Sequence, residues 1–265
     1  MSVMEPDAFY EALGGGHYAS TELTRGPWDA AAQHAGPPAA LLGYAVEHRD
    51  GARDDVRVAR FSVEIGRPVP IAPLRVVTRV IRDGASVSVV EAVLSGDDDR
   101  EYMRAQAVCV RTADGSAPAV EPDGHIADPE TIPATSIPFG YEIGYHTGME
   151  TRWVSGAFTT PGPATVWFRM RRPLVAGEPV DPLSRVLTAA DSGNGVSSVL
   201  DHRRYLFVNP ELTVHLRRYP QGEWVCLDSR TTVDPGGIGL AETALHDTGG
   251  PIGRGAQSLF VRPRR

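Results

Sequence analysis

Three polar residues sit in places that a stable fold would more readily give to other side chains. Asp191 ends a helix-like run, "DPLSRVLTAADSG" from Asp181 to Gly193, where the negative end of the helix dipole opposes a carboxylate. Gln257 lies in "AQSLFVR" and shares, by period two, the apolar face of Leu259 and Val261, so its amide must find partners there. Asn209 precedes Pro210 and is held extended at the entrance to a strand. A carboxylate so placed can act as a general base, and amides can hold hydrogen-bonded groups beside it. Each residue also has a structural reading. Asp191 can open the "DSGNG" turn, Gln257 can be a core amide satisfied by backbone, and Asn209 can be a turn residue.

Other chemistries are excluded more easily. The 265 residues include 26 basic side chains, every one an Arg. Without Lys there is no P-loop lysine, Schiff base or Ser-Lys dyad. No G-x-S-x-G elbow, H-E-x-x-H or C-x-x-C occurs, which argues against a Ser nucleophile and a metal. "PGGIGL" and "GGPIGRG" sit in hairpin turns rather than between a strand and a helix, so they are not phosphate loops. The formal charge of −7 comes with no basic stripe, which speaks against nucleic acid or an anionic membrane as partner. No apolar run reaches membrane-spanning length. The N-terminus lacks the basic and apolar regions of a signal peptide, and Cys109 and Cys226 read as core hydrophobes in a reducing compartment. A cytoplasmic location is expected.

The elements that must position these residues follow from periodicity. Two segments are helical: "GPPAALLGYAVEHRDG" from Gly36 to Gly51, and Asp181 to Gly193. Each has Pro in its first turn and stops at Gly. Strands with period-two alternation follow each helix, and "AQAVCVR" (residues 105–111) reappears as "AQSLFVR" (residues 256–262). One offset of 151 carries Gln106 to Gln257, Glu91 to Glu242 and Val63 to Val214, the signature of an internal repeat. The stretch from Thr112 to Gly140, rich in Pro, Ala and Asp, reads as the connection. The chain therefore divides into a unit at 1–112, a linker at 113–140 and a second unit at 141–265.

A single helix followed by a long antiparallel sheet can be buried only by wrapping the sheet around it. The expected architecture is α+β, a double hot dog: two tandem units, each a sheet curled around a central helix. Small residues on the helices (Ala39, Ala40, Gly43, Ala45, Ala189 and Ala190) would let strands come close.

The order and spacing of "EIGRPVP", "LTAADSG", "NPELTVHLRR" and "AQSLFVR" resemble the acyl-CoA thioesterase II family, especially its actinobacterial branch, over nearly the whole chain. The resemblance implies hydrolysis of acyl-CoA by an Asp-activated water, with no cofactor beyond the coenzyme A of the substrate. It carries the family's Asp onto Asp191 and its Gln onto Gln257. The family's hydroxyl residue falls on Asn209, a departure from the pattern. Backbone N–H groups near Gly193 and Gly195 are candidates for the oxyanion, and His34 and Gly36, at the mouth of "HAGPP", for contact with substrate. His34 alternatively reads as a polar residue flanking the helix. CoA phosphates would want Arg, with Arg67, Arg217 and Arg218 as candidates.

In the first unit, alignment of helix starts puts Glu47 opposite Asp191, whereas gapless matching would put His34 there. The strand offset puts Val58 opposite Asn209, and Gln106 survives, which reads as a lapsed site. A non-catalytic acyl-CoA or lipid-binding protein is the main alternative. A hot-dog enoyl-CoA hydratase fits less well, because Asn194 follows Asp191 at the wrong spacing and position 196 is Val. A homo-oligomer is expected from the exposed sheet edges of such folds.

Overall fold

The computed structural model describes residues 6–264 except 121, 123 and 139. The first five residues, on which the reading of the N-terminus partly rests, and three positions of the linker therefore lie outside the described residues. The first half contains β1 (Tyr10–Gly14), β2 (His17–Ser20), α1 (Gly36–Glu47), β3 (Val56–Ile65), β4 (Pro73–Arg82), β5 (Val87–Gly96) and β6 (Glu101–Arg111). The second contains α2 (Tyr145–Gly148), β7 (Met149–Ala157), β8 (Thr160–Met170), α3 (Pro182–Ala190), α4 (Gly193–Val196), β9 (Tyr205–Val208), β10 (Glu211–Leu216), β11 (Trp224–Val233), β12 (Ile238–Asp247) and β13 (Gly250–Pro263). Both long helices begin with Pro in the first turn, as their sequences require. Helix α1 ends at Glu47, a turn before Gly51, and Asp191 is the C-cap of α3.

One continuous sheet runs β1-β2-β4-β5-β6-β3-β10-β13-β12-β11-β8-β7, with β9 also on β13. Read outward from the β3/β10 junction, its two arms are mirror lists, so β3 corresponds to β10, β6 to β13 and β5 to β12. At the junction Ser62 pairs with Thr213, and their hydroxyls lie 3.2 Å apart. Both helices lie against the inner face and pack on each other. Gly43 serves this crossing rather than a strand, because a Cβ there would sit 2.5 Å from Leu187 Cδ1. Val90, Ala92, Ala105, Ala107, Leu212, Val214 and Leu227 fill the inner face beneath the helices.

The repeat is real, but its most conspicuous words are out of register. Gln106 pairs with Glu91 and Ser62, whereas Ala256 pairs with Glu242 and Thr213. Gln106 therefore corresponds to Ala256, and Ala107 corresponds to Gln257. A slip of one residue reverses the face of a strand: Gln106 is exposed on the outer surface, while Gln257 is buried.

The described residues of the linker form no strand, yet they are pinned down. Ala127 accepts from Trp167 Nε1 at 2.9 Å, and Glu130 accepts from Trp224 Nε1 at 3.0 Å. Ile126 and Ile132 cover a small core of Trp167, Trp224 and Cys226. Both cysteines are free and buried. No helix among the described residues is long and apolar enough to cross a membrane.

Candidate active site

The structure brings Asp191, Asn209 and Gln257 together. Asn209 Nδ2 donates to Asp191 Oδ1 at 2.7 Å, and Gln257 Nε2 approaches the same oxygen at 3.3 Å and the Asp191 carbonyl at 3.2 Å. Gln257 Oε1 accepts from the Asn194 N–H at 3.0 Å. This fully paired amide satisfies the demand that a buried polar group find partners. Asn209 occupies a break in the long strand formed by β9 and β10, whose register on β13 shifts by one residue across it. Its side chain turns inward at that irregularity. Val58 stands at the equivalent bulge of β3, between Val58 and Arg60.

The other carboxylate oxygen faces the first half. His34 Nδ1 lies 3.2 Å from Asp191 Oδ2, with only 12% of the imidazole and 6% of the carboxylate exposed. The same nitrogen lies 3.1 Å from the Gly36 N–H, and it serves one of them at a time. Unprotonated it accepts from Gly36, and protonated it donates to Asp191. Burial pushes the His34 pKa down against the opposing pull of Asp191, so the ring is neutral near pH 7 and carries one proton.

Tyr145 stacks on His34 with ring centroids 3.9 Å apart and planes 4° from parallel. Its hydroxyl donates to the Thr188 carbonyl at 2.9 Å and therefore accepts from Ser192 Oγ at 3.0 Å. Burial raises the phenol pKa far above its ordinary value, which keeps it a neutral wall for the imidazole. Tyr145 escaped sequence reasoning because it stands on a one-turn helix just past the linker, with no periodicity around it. His34 was nominated from sequence, but its contact with Asp191 depends on the α1–α3 crossing.

Of the three glycines nominated from sequence, Gly36 adjoins the cluster through His34. A Cβ there would overlap the Thr188 carbonyl and stand 3.1 Å from His34 Nδ1. Gly193 packs behind Gln257, where a Cβ would lie 2.7 Å from Thr243 Oγ1 and 3.1 Å from Gln257 Oε1. It thus provides clearance over a polar bed, in which Ser229 bonds Thr243 at 2.9 Å and Ser197 bonds Thr231 at 2.8 Å. A Cβ at Gly195 would face open space.

The first-half counterpart lies at the C-terminal end of α1. Glu47 accepts from the Tyr219 hydroxyl at 2.7 Å, and that hydroxyl accepts the Val58 N–H at 2.8 Å. Burial raises the Glu47 pKa against this hydrogen bond. Glu47, not His34, is thus the equivalent of Asp191, and Val58 and Ala107 replace both amides. Arg217 and Arg218 stand beside Tyr219 at this end, away from Asn209. Arg218 Nη2 is bonded to the fully buried Asp247 at 2.7 Å, so it holds the fold rather than a phosphate. Arg67 is exposed just beyond β3, whose Ile65 N–H bonds the Pro210 carbonyl at 2.7 Å, at the Asn209 end.

Comparison with known proteins identifies the family and the fold. The profile of the acyl-CoA thioesterase N-terminal domain matches residues 24–110, and that of the C-terminal domain matches residues 97–261. Among solved structures, a chain assigned as thioesterase II from Thermobifida fusca YX superposes with TM-score 0.74 at 18% identity, covering 97% of this chain and 95% of that one. A conserved hot-dog protein of unknown function from Alicyclobacillus acidocaldarius gives 0.74 at 15%, covering 98% of each chain. Acyl-CoA thioesterase II TesB2 from Mycobacterium marinum gives 0.67 at 15%, covering 96% of each. At these identities the structures establish the double hot-dog fold. Comparison with curated protein sequences gives no significant match. The two family profiles, spanning almost the whole chain between them, place it in the acyl-CoA thioesterase family, as a thioester hydrolase.

Proposed function

We propose that the chain hydrolyses acyl-CoA to free acid and coenzyme A by direct attack of water, with Asp191 as general base. The observation that carries this is the division of labour on one carboxylate. Asn209 and Gln257 point amide donors at Asp191 Oδ1, which fixes the group, while Oδ2 turns toward His34. Asp191 takes a proton from the water as its oxygen attacks the thioester carbonyl carbon. The Asn209 amide oxygen is available to hold that water. When His34 Nδ1 carries its proton toward Asp191, the Gly36 N–H is released to donate to the developing oxyanion, an interaction typically worth about 3 kcal/mol. The tetrahedral intermediate collapses by breaking the C–S bond, and the proton held by Asp191 returns to the departing thiolate. No side-chain nucleophile is used.

The test is thiol release from short, medium, long and aromatic acyl-CoAs by wild type and Asp191→Asn. Turnover lost in the variant, with the fold intact by circular dichroism, supports the assignment. Capture of an acyl-enzyme by hydroxylamine would overturn the direct-water route. The His34–Asp191 pair also suits addition of water to an activated double bond, so product analysis with an enoyl-CoA separates the two. Free CoA marks hydrolysis and an intact hydroxyacyl thioester marks hydration.

A further inference from the structure

Two loops leave the Asp191 cluster and meet again farther out. One precedes α1. Gly26 backs directly onto His34, where a Cβ would lie 3.0 Å from the His34 nitrogen, and its N–H bonds the Ala32 carbonyl at 3.0 Å. Residues 27–31 therefore project as a closed tip bearing Trp28, which is 56% exposed. The other loop precedes β9 and bears His202, seven residues before Asn209. At ~3.3 Å per extended residue, that is at most roughly 23 Å from Asn209. At their outer ends the loops touch: Trp28 and His202 have ring centroids 5.5 Å apart, and Phe158, from the β7–β8 turn, lies 5.6 Å from His202 on its stacked side.

Arginines lie on the segments that flank this aromatic group. Arg203 and Arg204 follow His202, and Arg262 and Arg264 lie on the neighbouring end of β13 and just past it. Arg264 Nε donates to the His202 carbonyl at 2.7 Å, and Arg262 lies over the Phe260 ring at 5.6 Å. All four are exposed, and none has a carboxylate partner among the described residues. The nearby carboxylates are occupied with their own loops: Asp29 Oδ1 accepts the Ala31 N–H at 2.9 Å, and Asp201 Oδ1 accepts the Arg203 N–H at 2.8 Å. Burial, with Arg264 and Arg203 adding to it against Asp201, lowers the His202 pKa, which leaves a neutral ring for stacking.

We propose that Trp28 and His202, with Arg203, Arg204, Arg262 and Arg264, form the subsite for the 3′-phosphorylated adenosine diphosphate end of coenzyme A. The proposal rests on the acyl-CoA reading above. A half-open indole beside a neutral imidazole presents π-faces to a purine, and the guanidinium forks match phosphate oxygens. His202 lies no farther than roughly 23 Å from Asn209, and a pantetheine arm joining the subsite to the Asp191 cluster would run between the two loops. This end of the molecule thus selects the carrier of the acyl group.

The experiment compares kcat/KM for one acyl group on coenzyme A and on pantetheine, in wild type, Trp28→Ala, Trp28→Phe and Arg203→Ala. Adenosine 3′,5′-bisphosphate is titrated into each protein by calorimetry. The preference for coenzyme A over pantetheine should fall about tenfold in Trp28→Ala, through KM, with matching loss of bisphosphate affinity, and recover in Trp28→Phe. Arg203→Ala should lose more affinity for the bisphosphate than for adenosine. An equal fall on both carriers, or no change in the preference, would overturn the subsite. A wild type that cleaves neither substrate would sink the hydrolytic reading instead, and the bisphosphate titration would then still decide the subsite alone.

Discussion

Asn209 Nδ2 donates to Asp191 Oδ1 at 2.7 Å, a charge-assisted bond between a strand break and a helix end 18 residues apart in the chain. An amide here does two things at once: its N–H₂ fixes the carboxylate and its oxygen stays available to a water. A hydroxyl can do both as well, with a shorter reach. Asn209→Ala should therefore reduce kcat by about tenfold or more, because it removes the shorter of the two donors that fix a buried carboxylate oxygen. Asn209→Ser should retain most of the rate. Steady-state kinetics of the pair check this, and a silent Asn209→Ala would remove the residue from the mechanism.

Acid should destabilise the protein in a definite window. Burial is the first cause of lowered pKa at His34, His146, His202, His215 and His246. Each takes a proton more readily in the unfolded chain, whose imidazoles titrate near 6.5. Stability is therefore fully present above about pH 6.5 and falls as the pH drops through the folded-state values. Urea denaturation between about pH 7.5 and 5 should show this slope, and His34→Gln should make it shallower. For activity the sign is the same: a protonated His34 holds the Asp191 carboxylate in an ion pair and weakens it as a base, so kcat/KM should decline on the acid side. A stability that rises toward pH 5 would contradict the burial of these rings.

The architecture was legible because helix and strand periods differ and because the repeat obliges two copies of one unit. The hairpins before each helix, β1–β2 and β7–β8, were missed. The Gly14-Gly15-Gly16 turn, with all three φ values positive, was the available signal for the first. Asp191, Asn209 and Gln257 were legible as a set through family likeness, and their convergence needed the fold. The error at Gln106 has a simple physical cause: a sequence offset counts residues, whereas a ladder counts hydrogen-bonded pairs. One residue of slip between the two put an exposed amide in the place of Ala107. Tyr145, and the carboxylate contact of His34, arise only from packing across the two halves, which no local pattern encodes.

That register difference has a direct test. Gln257 holds Asp191 and Asn194 from a buried position, so Gln257→Ala should cost at least about tenfold in kcat and lower stability by roughly 1–3 kcal/mol through unpaired groups. Gln106, exposed on the opposite face of the sheet, should tolerate Ala with no measurable change in either. Thermal melts and kinetics of the two variants side by side decide it. A Gln106→Ala variant as impaired as Gln257→Ala would mean that the first-half site is in use after all.

The glycine at the start of α1 should be harder to replace than the one in α4, for reasons visible in their surroundings. Any Cβ at Gly36 overlaps the Thr188 carbonyl and presses on His34 Nδ1, so Gly36→Ala must either shift α1 against α3 or turn the imidazole away from Asp191. Overpacking of this kind typically costs about 1–3 kcal/mol. Because the displaced ring is the one beside the carboxylate, kcat should fall together with the melting temperature. Gly195→Ala adds its methyl to open space on a helical turn, where Ala is the better helix former, and should leave the melting temperature unchanged or slightly higher. Equal melting temperatures for both variants would mean that α1 and α3 slide freely at this contact, and His34 would then lose its fixed place beside Asp191.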